Sequence, residues 1–290
     1  MKSPKNNQFK RQSRIGEIWY RLRKNRMAMI GLVIILFLAY CSLFPETIAP
    51  YGYDDQVLSR ANKFPCKEFI FGTDNLGRDI FSRVIYGAGI SLKIGLISVA
   101  ISAVFGIILG AIAGYYGGFT ENLIMRVMDI LLAIPSILLA ISIVAALGTS
   151  LTNLMIAVGV SSVPKFARIV RASILSVKDQ EYIEASRCVG ASDFRIIASH
   201  VIPNCLAPII VQATMGVASA ILSASSLSFI GLGVQPPLPE WGTMLSAGRQ
   251  YIRDFWHIVT FPGLAIMVTI FAFNLFGDGL RDALDPKLKI

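Results

Sequence analysis

The sequence predicts an all-α integral membrane protein with six transmembrane helices, and three observations lead there. Of its 290 residues, 54% are hydrophobic and 16% charged, and the mean hydropathy is +0.62, a balance that a soluble domain cannot hide in one core. Six runs are long and apolar enough to cross a hydrocarbon layer of about 30 Å as helices. Nine of the 27 Lys and Arg residues crowd into the first 26 positions beside one acid, Glu17, the asymmetry that holds a terminus in the cytosol.

Residues 1–26 form a basic cytosolic segment: Lys2, Lys5, Lys10, Arg11, Arg14, Arg21, Arg23, Lys24 and Arg26. Because this cluster abuts a span it reads as a topology signal, so no nucleic-acid partner is expected. The first span, Met27 to Phe44, is too long for a cleaved leader's apolar region, and LFPETIAP offers no clear small-residue cleavage site. It is therefore expected to be retained. The segment 27–89 comprises this span and an outer loop, in which Asp74 to Ala88 reads as a short interfacial helix. Ile80, Phe81, Val84 and Ile85 lie on one side of it, with Arg78, Asp79 and Arg83 mostly on the other.

A five-helix core occupies residues 90–280. Its first span, Ile90 to Tyr115, carries Gly106, Gly110 and Gly114 at four-residue spacing, a flat stripe that lets a neighbouring helix approach. AGYYGG then ends the helix. The next, Val127 to Leu147, contains Pro135, whose missing amide and ring should bend it; both a packing role and a functional kink remain open. Leu151 to Val170 holds Pro164, Lys165 and Arg168, so its second half reads as emerging into water. Cys205 to Leu227 and Ile258 to Asp278 complete the set. Six spans return the tail, 281–290 with Arg281, Lys287 and Lys289, to the cytosolic side.

The ionisable residues Lys93, Arg126, Asp129 and Asp278 sit near span ends, which leaves no obvious ion path. No inverted repeat of broken helices is evident. A phosphate-binding GxxxxGK[ST] loop, HExxH and paired CxxC are all absent. Cys41, Cys66, Cys188 and Cys205 fall in different predicted compartments, and His200 and His257 on opposite sides, so neither a disulfide framework nor a metal set is expected. A stand-alone secondary transporter and a membrane-embedded enzyme are the alternatives; the nearest cluster for the latter is Asp278, Arg281, Asp282 and Asp285.

The inner loop 171–200 is the longest. Lys178 to Val189 favours helix, Gly190 stops it as a C-terminal cap, and Ser192 can cap a second helix. On that second helix Phe194, Ile197, Ala198 and Val201 recur at three- and four-residue spacing, before Pro203 bends the chain.

Glu184, Ala185 and Ser186, three residues, Gly190, nine residues, then His200, Val201, Ile202 and Pro203 resemble the EAA loop of permease subunits of ATP-binding-cassette importers. That loop's pattern is Glu-Ala-Ala, three residues, Gly, nine residues, Ile-x-Leu-Pro. Ser186, His200 and Ile202 depart from it. FGTDNLGRDIFSRVIYGA (71–88), AGYYGG (113–118), MRVMDILLAIPS (125–136), SLSFIGLGVQPPLPEWGTML (226–245) and FPGLAIMVTIFAFNLFGDGLRDALDP (261–286) resemble, in order, the C-type permease of the dipeptide, oligopeptide and nickel importers.

The resemblance implies a type I-like importer permease in the cytoplasmic membrane that moves di- or oligopeptides, with nickel or a nickel chelate as the alternative cargo. It implies no catalytic residue and no cofactor in this chain, with ATP and Mg bound by partners. Those partners are a homologous B-type permease, two ABC ATPase subunits and an extracytoplasmic binding protein. Glu184, Ala185, Ser186, Gly190 and Asp193 would form the ATPase-coupling loop. GLGVQPPLPEWG lies in the outer loop 228–256, and Asp74, Arg78, Asp79, Glu240 and Trp241 are expected to face the binding protein or the path.

Overall fold

The computed structural model describes residues 14–285. The basic residues Lys2, Lys5, Lys10 and Arg11 and the tail lysines Lys287 and Lys289 lie outside them. A short amphipathic helix α1 (Arg14–Lys24) leads through the cap Asn25, whose side-chain oxygen accepts from the Ala28 amide, into α2 (Arg26–Leu43). Helix α2 has apolar side chains all round. Its exposed side, with Val33, Leu36, Phe37 and Tyr40, matches a lipid-facing surface.

The next helix overturns an expectation. Helix α3 (Ile80–Tyr116) runs unbroken for 37 residues, about 55 Å at 1.5 Å per residue. The expected interfacial helix is therefore no separate element: residues 74–79 form a turn, and Ile80 onward is the first part of a membrane helix. Asp79 caps it through the Ser82 amide. The supposedly outward Arg78, Asp79 and Arg83 are all buried.

Helices α4 (Gly118–Ala133) and α5 (Ser136–Leu147) are separated by Ile134 and Pro135 and bend 91° with respect to one another. Ile134 is extended, the conformation favoured before a proline. The sequence predicted a bend; the structure makes it a break. Helix α6 (Leu151–Leu175) continues through Pro164. Lys165, Arg168 and Arg171 thus sit within one continuous helix.

The segment after α6 folds as α7 (Glu181–Cys188), α8 (Asp193–Ile196), a widened π turn at Ile197–Val201, and α9 (Ile202–Asn204). Pro203 has no amide to donate and its ring crowds the carbonyl four residues back, which favours the wider turn before it. Helix α10 (Leu206–Phe229) recrosses, α11 (Trp241–Gly248) lies in the outer loop, and α12 (His257–Leu284) is the last span. Five of these helices, α2, α3, α6, α10 and α12, are individually long and apolar enough to cross a membrane, and the bent pair α4 and α5 makes a sixth segment.

The core joins α3, α6 and α10 through Leu92, Ile94, Leu154, Val158, Phe166, Val217 and Ile221, with Val144 of α5 and Phe273 of α12 beside them. Helices α3 and α6 approach closely because the glycine stripe faces α6. Cβ atoms built at Gly106 and Gly110 would lie 2.3 Å from Phe166 Cβ and 2.5 Å from the Ala167 carbonyl oxygen. The stripe is a packing surface. Where lipid supplies no hydrophobic drive between helices, close van der Waals contact of this kind holds them together.

Candidate functional site

Two assemblies sit at opposite ends of α3. At its C-terminal end, α7 and α8 form an elbow. Gly190 adopts φ +80°, a left-handed conformation that any L side chain enters at a cost of roughly 1–2 kcal/mol, and its amide donates to the Arg187 carbonyl. The predicted capping role is met, although α7 starts at Glu181 and the preceding residues are turns.

The inner face of the elbow consists of Ile183, Ile196 and Val201, packed with Cys205 against Ala111, Tyr115, Val170, Ile174 and Ile209. Full burial of each isoleucine contributes about 1.5–3 kcal/mol. Of the recurring residues Phe194, Ile197, Ala198 and Val201, only Val201 and, in part, Ile197 lie on this inner face. Ile196 replaces Phe194, which is 81% exposed, and Ala198 is exposed too. The wide π turn shifts the register of the second arm, so simple three- and four-residue counting fails there.

Tyr115 was not singled out from the sequence. Its hydroxyl donates to Asp193 Oδ1 at 2.8 Å, and the Arg187 guanidinium lies 5.2 Å from its ring centroid. Hydrogen bonding with Tyr115 raises the Arg187 pKa. One tyrosine at the end of α3 thus holds both arms of the elbow. Glu184 and Ala185 are exposed, Ser186 is half-buried with its hydroxyl donating to the Tyr182 carbonyl, and Gly190 and Asp193 are exposed. With Val189, 83% exposed, and Phe194 on the outward side, the elbow presents an apolar tip flanked by exposed charges of both signs, Glu184, Arg187, Asp193 and Arg195.

At the N-terminal end of α3, the segment 74–84 meets the loop 234–247. Asp74 accepts from the Leu76 and Arg78 amides and from Arg78 Nε at 2.7 Å, and Arg83 Nε lies 3.8 Å away. Arg83 also donates to the Tyr53 carbonyl at 2.6 Å. Burial raises the Asp79 pKa, opposed by hydrogen bonds from Ser82. Glu240 accepts from the Gly242 and Thr243 amides as the cap of α11, and Trp241 Nε1 donates to the Val84 carbonyl at 3.0 Å.

The structure therefore brings the two predicted outer segments together, with a small cavity of about 40 Å³ between Asp74, Arg78, Arg83, Pro236, Leu238 and Thr243. Asp74, Arg78, Asp79, Glu240 and Trp241 are all buried, with side-chain hydrogen bonds inside this chain, although Asp79 Oδ1 has no partner among the described residues. His257 ties α12 to the same unit through the Thr73 carbonyl at 3.2 Å.

The chain from residue 106 to 290 matches the family of binding-protein-dependent transport system inner membrane components, and residues 13–65 match the N-terminal transmembrane domain of oligopeptide transport permease C. The chain belongs to this permease family. The permease is 48% identical over 286 residues to a dipeptide transport system permease protein of Alkalihalophilus pseudofirmus, covering 99% of this chain and 94% of the relative. It is also 48% identical to a di/tripeptide transport system permease protein of Pseudomonas aeruginosa (96% and 93% covered) and to a glutathione transport system permease protein of Escherichia coli (94% and 90%).

Among solved structures the permease is similar to the methionine ABC transporter in an inward-facing conformation. The TM-score is 0.57 at 19% identity, covering 70% of this chain and 97% of that one. An amino-acid ABC transporter gives a TM-score of 0.56 at 16% identity, covering 70% and 95%. At these identities the likeness concerns the fold alone. The permease is an ABC importer transmembrane subunit and a multi-pass inner-membrane protein.

Proposed function

We propose that this permease moves di- or oligopeptides inward, beside a B-type permease, two ATPase subunits that bind ATP and Mg, and an extracytoplasmic binding protein. The observation that carries the coupling is the attachment of the elbow. Its inner face is packed onto the ends of α3 and α6, while Val189 and Phe194 face outward on either side of Gly190. A cleft in an ATPase that grips this tip would move α3 and α6 as one body, because the glycine stripe joins them. Helix α3 carries that movement to the outer unit at Val84 and Trp241.

Helices α3 and α12 both start at the outer unit, joined by the Thr73 and His257 contact, so both end on the elbow's face. Helix α1 meets the end of α12 there, where Arg21 donates to the Asp285 carbonyl. This geometry and the basic segment support cytosolic termini. The relatives named for dipeptides, di/tripeptides and glutathione support a short-peptide cargo over nickel. The outer unit, with its cavity at Asp74 and Arg78, is the surface assigned to the binding protein, and its buried polar residues hold that surface in shape.

Reconstitution of the chain with its partner subunits and binding protein in proteoliposomes is expected to give peptide uptake that requires ATP. Uptake by this chain alone, without ATP, would overturn the reading. Tyr115→Phe keeps the ring and loses the bond to Asp193, a local loss of about 0.5–1.5 kcal/mol. The expected result is an assembled complex that hydrolyses more ATP per peptide imported, read by parallel phosphate-release and uptake assays.

A further inference from the structure

Lys165 sits ten residues before the end of α6, roughly 15 Å along the axis, inside the membrane-spanning part of the helix. The other two cations of this stretch are neutralised: Arg168 pairs with Asp129 at 2.6 Å, and Arg171 Nε donates to Glu121 at 2.6 Å. Lys165 has no such carboxylate among the described residues. It borders a small crevice of about 30 Å³ between α3, α6 and α10, lined by Ser98, Ser102, Ser162, Gln212 and Ser219, with no acid in the lining.

The polar side of α10 continues this crevice. Gln212, Gly216, Ser219, Ser223 and Ser226 follow one another at alternating four- and three-residue spacing, which sets them on a single face of an otherwise apolar helix. The serine hydroxyls of the crevice donate to backbone carbonyls, as Ser98 does to Met155 and Ser162 to Val158. The Gln212 amide makes no hydrogen bond among the described residues, so its N–H groups are free to donate within the crevice that Lys165 also lines. An unneutralised cation at this depth is costly and, where it occurs, faces a water-filled path or a partner.

We propose that Lys165, with Gln212, receives the carboxylate of the peptide cargo as it passes through the membrane. The inference rests on the peptide-importer reading above and adds a recognition point to it. An ammonium and an amide converging on one crevice supply charge-assisted donors and no acceptor of comparable strength, which suits a carboxylate and disfavours a free amine. The serine-lined wall keeps the rest of the crevice wettable without binding the peptide side chains tightly, as a transit site requires.

The test uses the full reconstituted complex with dialanine and its C-terminal amide, each at concentrations that saturate the binding protein. Lys165→Met is expected to lower dialanine uptake about tenfold, the worth of one charge-assisted hydrogen bond, and to change amide uptake less than about twofold on the same basis. Lys165→Arg is expected to restore most of the dialanine uptake. An equal fall for both peptides would overturn the proposal and mark Lys165 as the ion-pair partner of a carboxylate in the second permease subunit. Unchanged uptake of both would overturn it as well. A wild-type complex that imports neither peptide with ATP would instead sink the importer reading on which the proposal stands.

Discussion

Gly190→Pro is expected to abolish ATP-driven uptake while the membrane subunits still assemble. At φ +80° the position is closed to proline, whose ring holds φ near −65°, and the substitution also removes the amide that donates to Arg187. A Cβ at Gly190 would meet nothing within 4 Å. The change therefore acts on the backbone turn alone. The inner contacts of Ile183 and Ile196 are made by the arms on either side, so the arms can stay attached to α3 and α6 while the angle between them changes.

Gly190→Ala provides the scale. It strains the same turn by roughly 1–2 kcal/mol without forbidding it, so uptake is expected to fall by no more than a few-fold, against at least about tenfold for proline. The measurement is ATP-dependent uptake, with assembly followed by co-purification of the permease and ATPase subunits. Undiminished uptake by the proline variant would reduce residues 181–204 to a connector.

The second large effect is on stability. Gly106→Val and Gly110→Val each drive a side chain into α6. The Gly110 clash, at 2.5 Å, is with a carbonyl oxygen that no rotamer change can move aside, and Val170 Cβ lies 2.8 Å away. Overpacking of this kind costs about 1–3 kcal/mol per site. The two sites share one helix pair, so their effects are not expected to add simply. The double variant is expected to lose the monodisperse complex on heating well below the wild type, followed by size-exclusion after a temperature series. Gly263→Ala, whose new methyl would make only an ordinary 3.7 Å contact with Leu245, is the control and should leave the profile unchanged. Equal profiles for all would mean that α3 and α6 are not held by close backbone approach.

Much of the elbow was legible in the sequence because its signals are local. The Glu184 to Gly190 spacing and the glycine turn depend on residues a few positions apart. Its orientation was not, since the π turn before Pro203 moves Phe194 outward and Ile196 inward, and no fixed period survives such a turn. Tyr115 escaped notice for another reason. It lies 78 positions from Asp193 inside a glycine-rich helix end, and only tertiary folding brings them together. Arg78, Asp79 and Arg83 read as the polar face of an interfacial helix because an amphipathic pattern looks the same whether its polar side meets water or a buried hydrogen-bond network.

By itself the sequence determined that the chain lives in a membrane, where its apolar segments cross, the cytosolic preference of its basic end, and the elbow motif. These follow from transfer of each segment into lipid and from turn chemistry, both local properties. Only the tertiary structure decided that α3 is one continuous rod, that the outer polar residues are interior, that α4 and α5 part at a right angle, and that Lys165 borders a polar crevice. Lipid is as apolar as a helix interface, so hydropathy cannot tell which face of a span meets a neighbour. That is settled by which helices fit together.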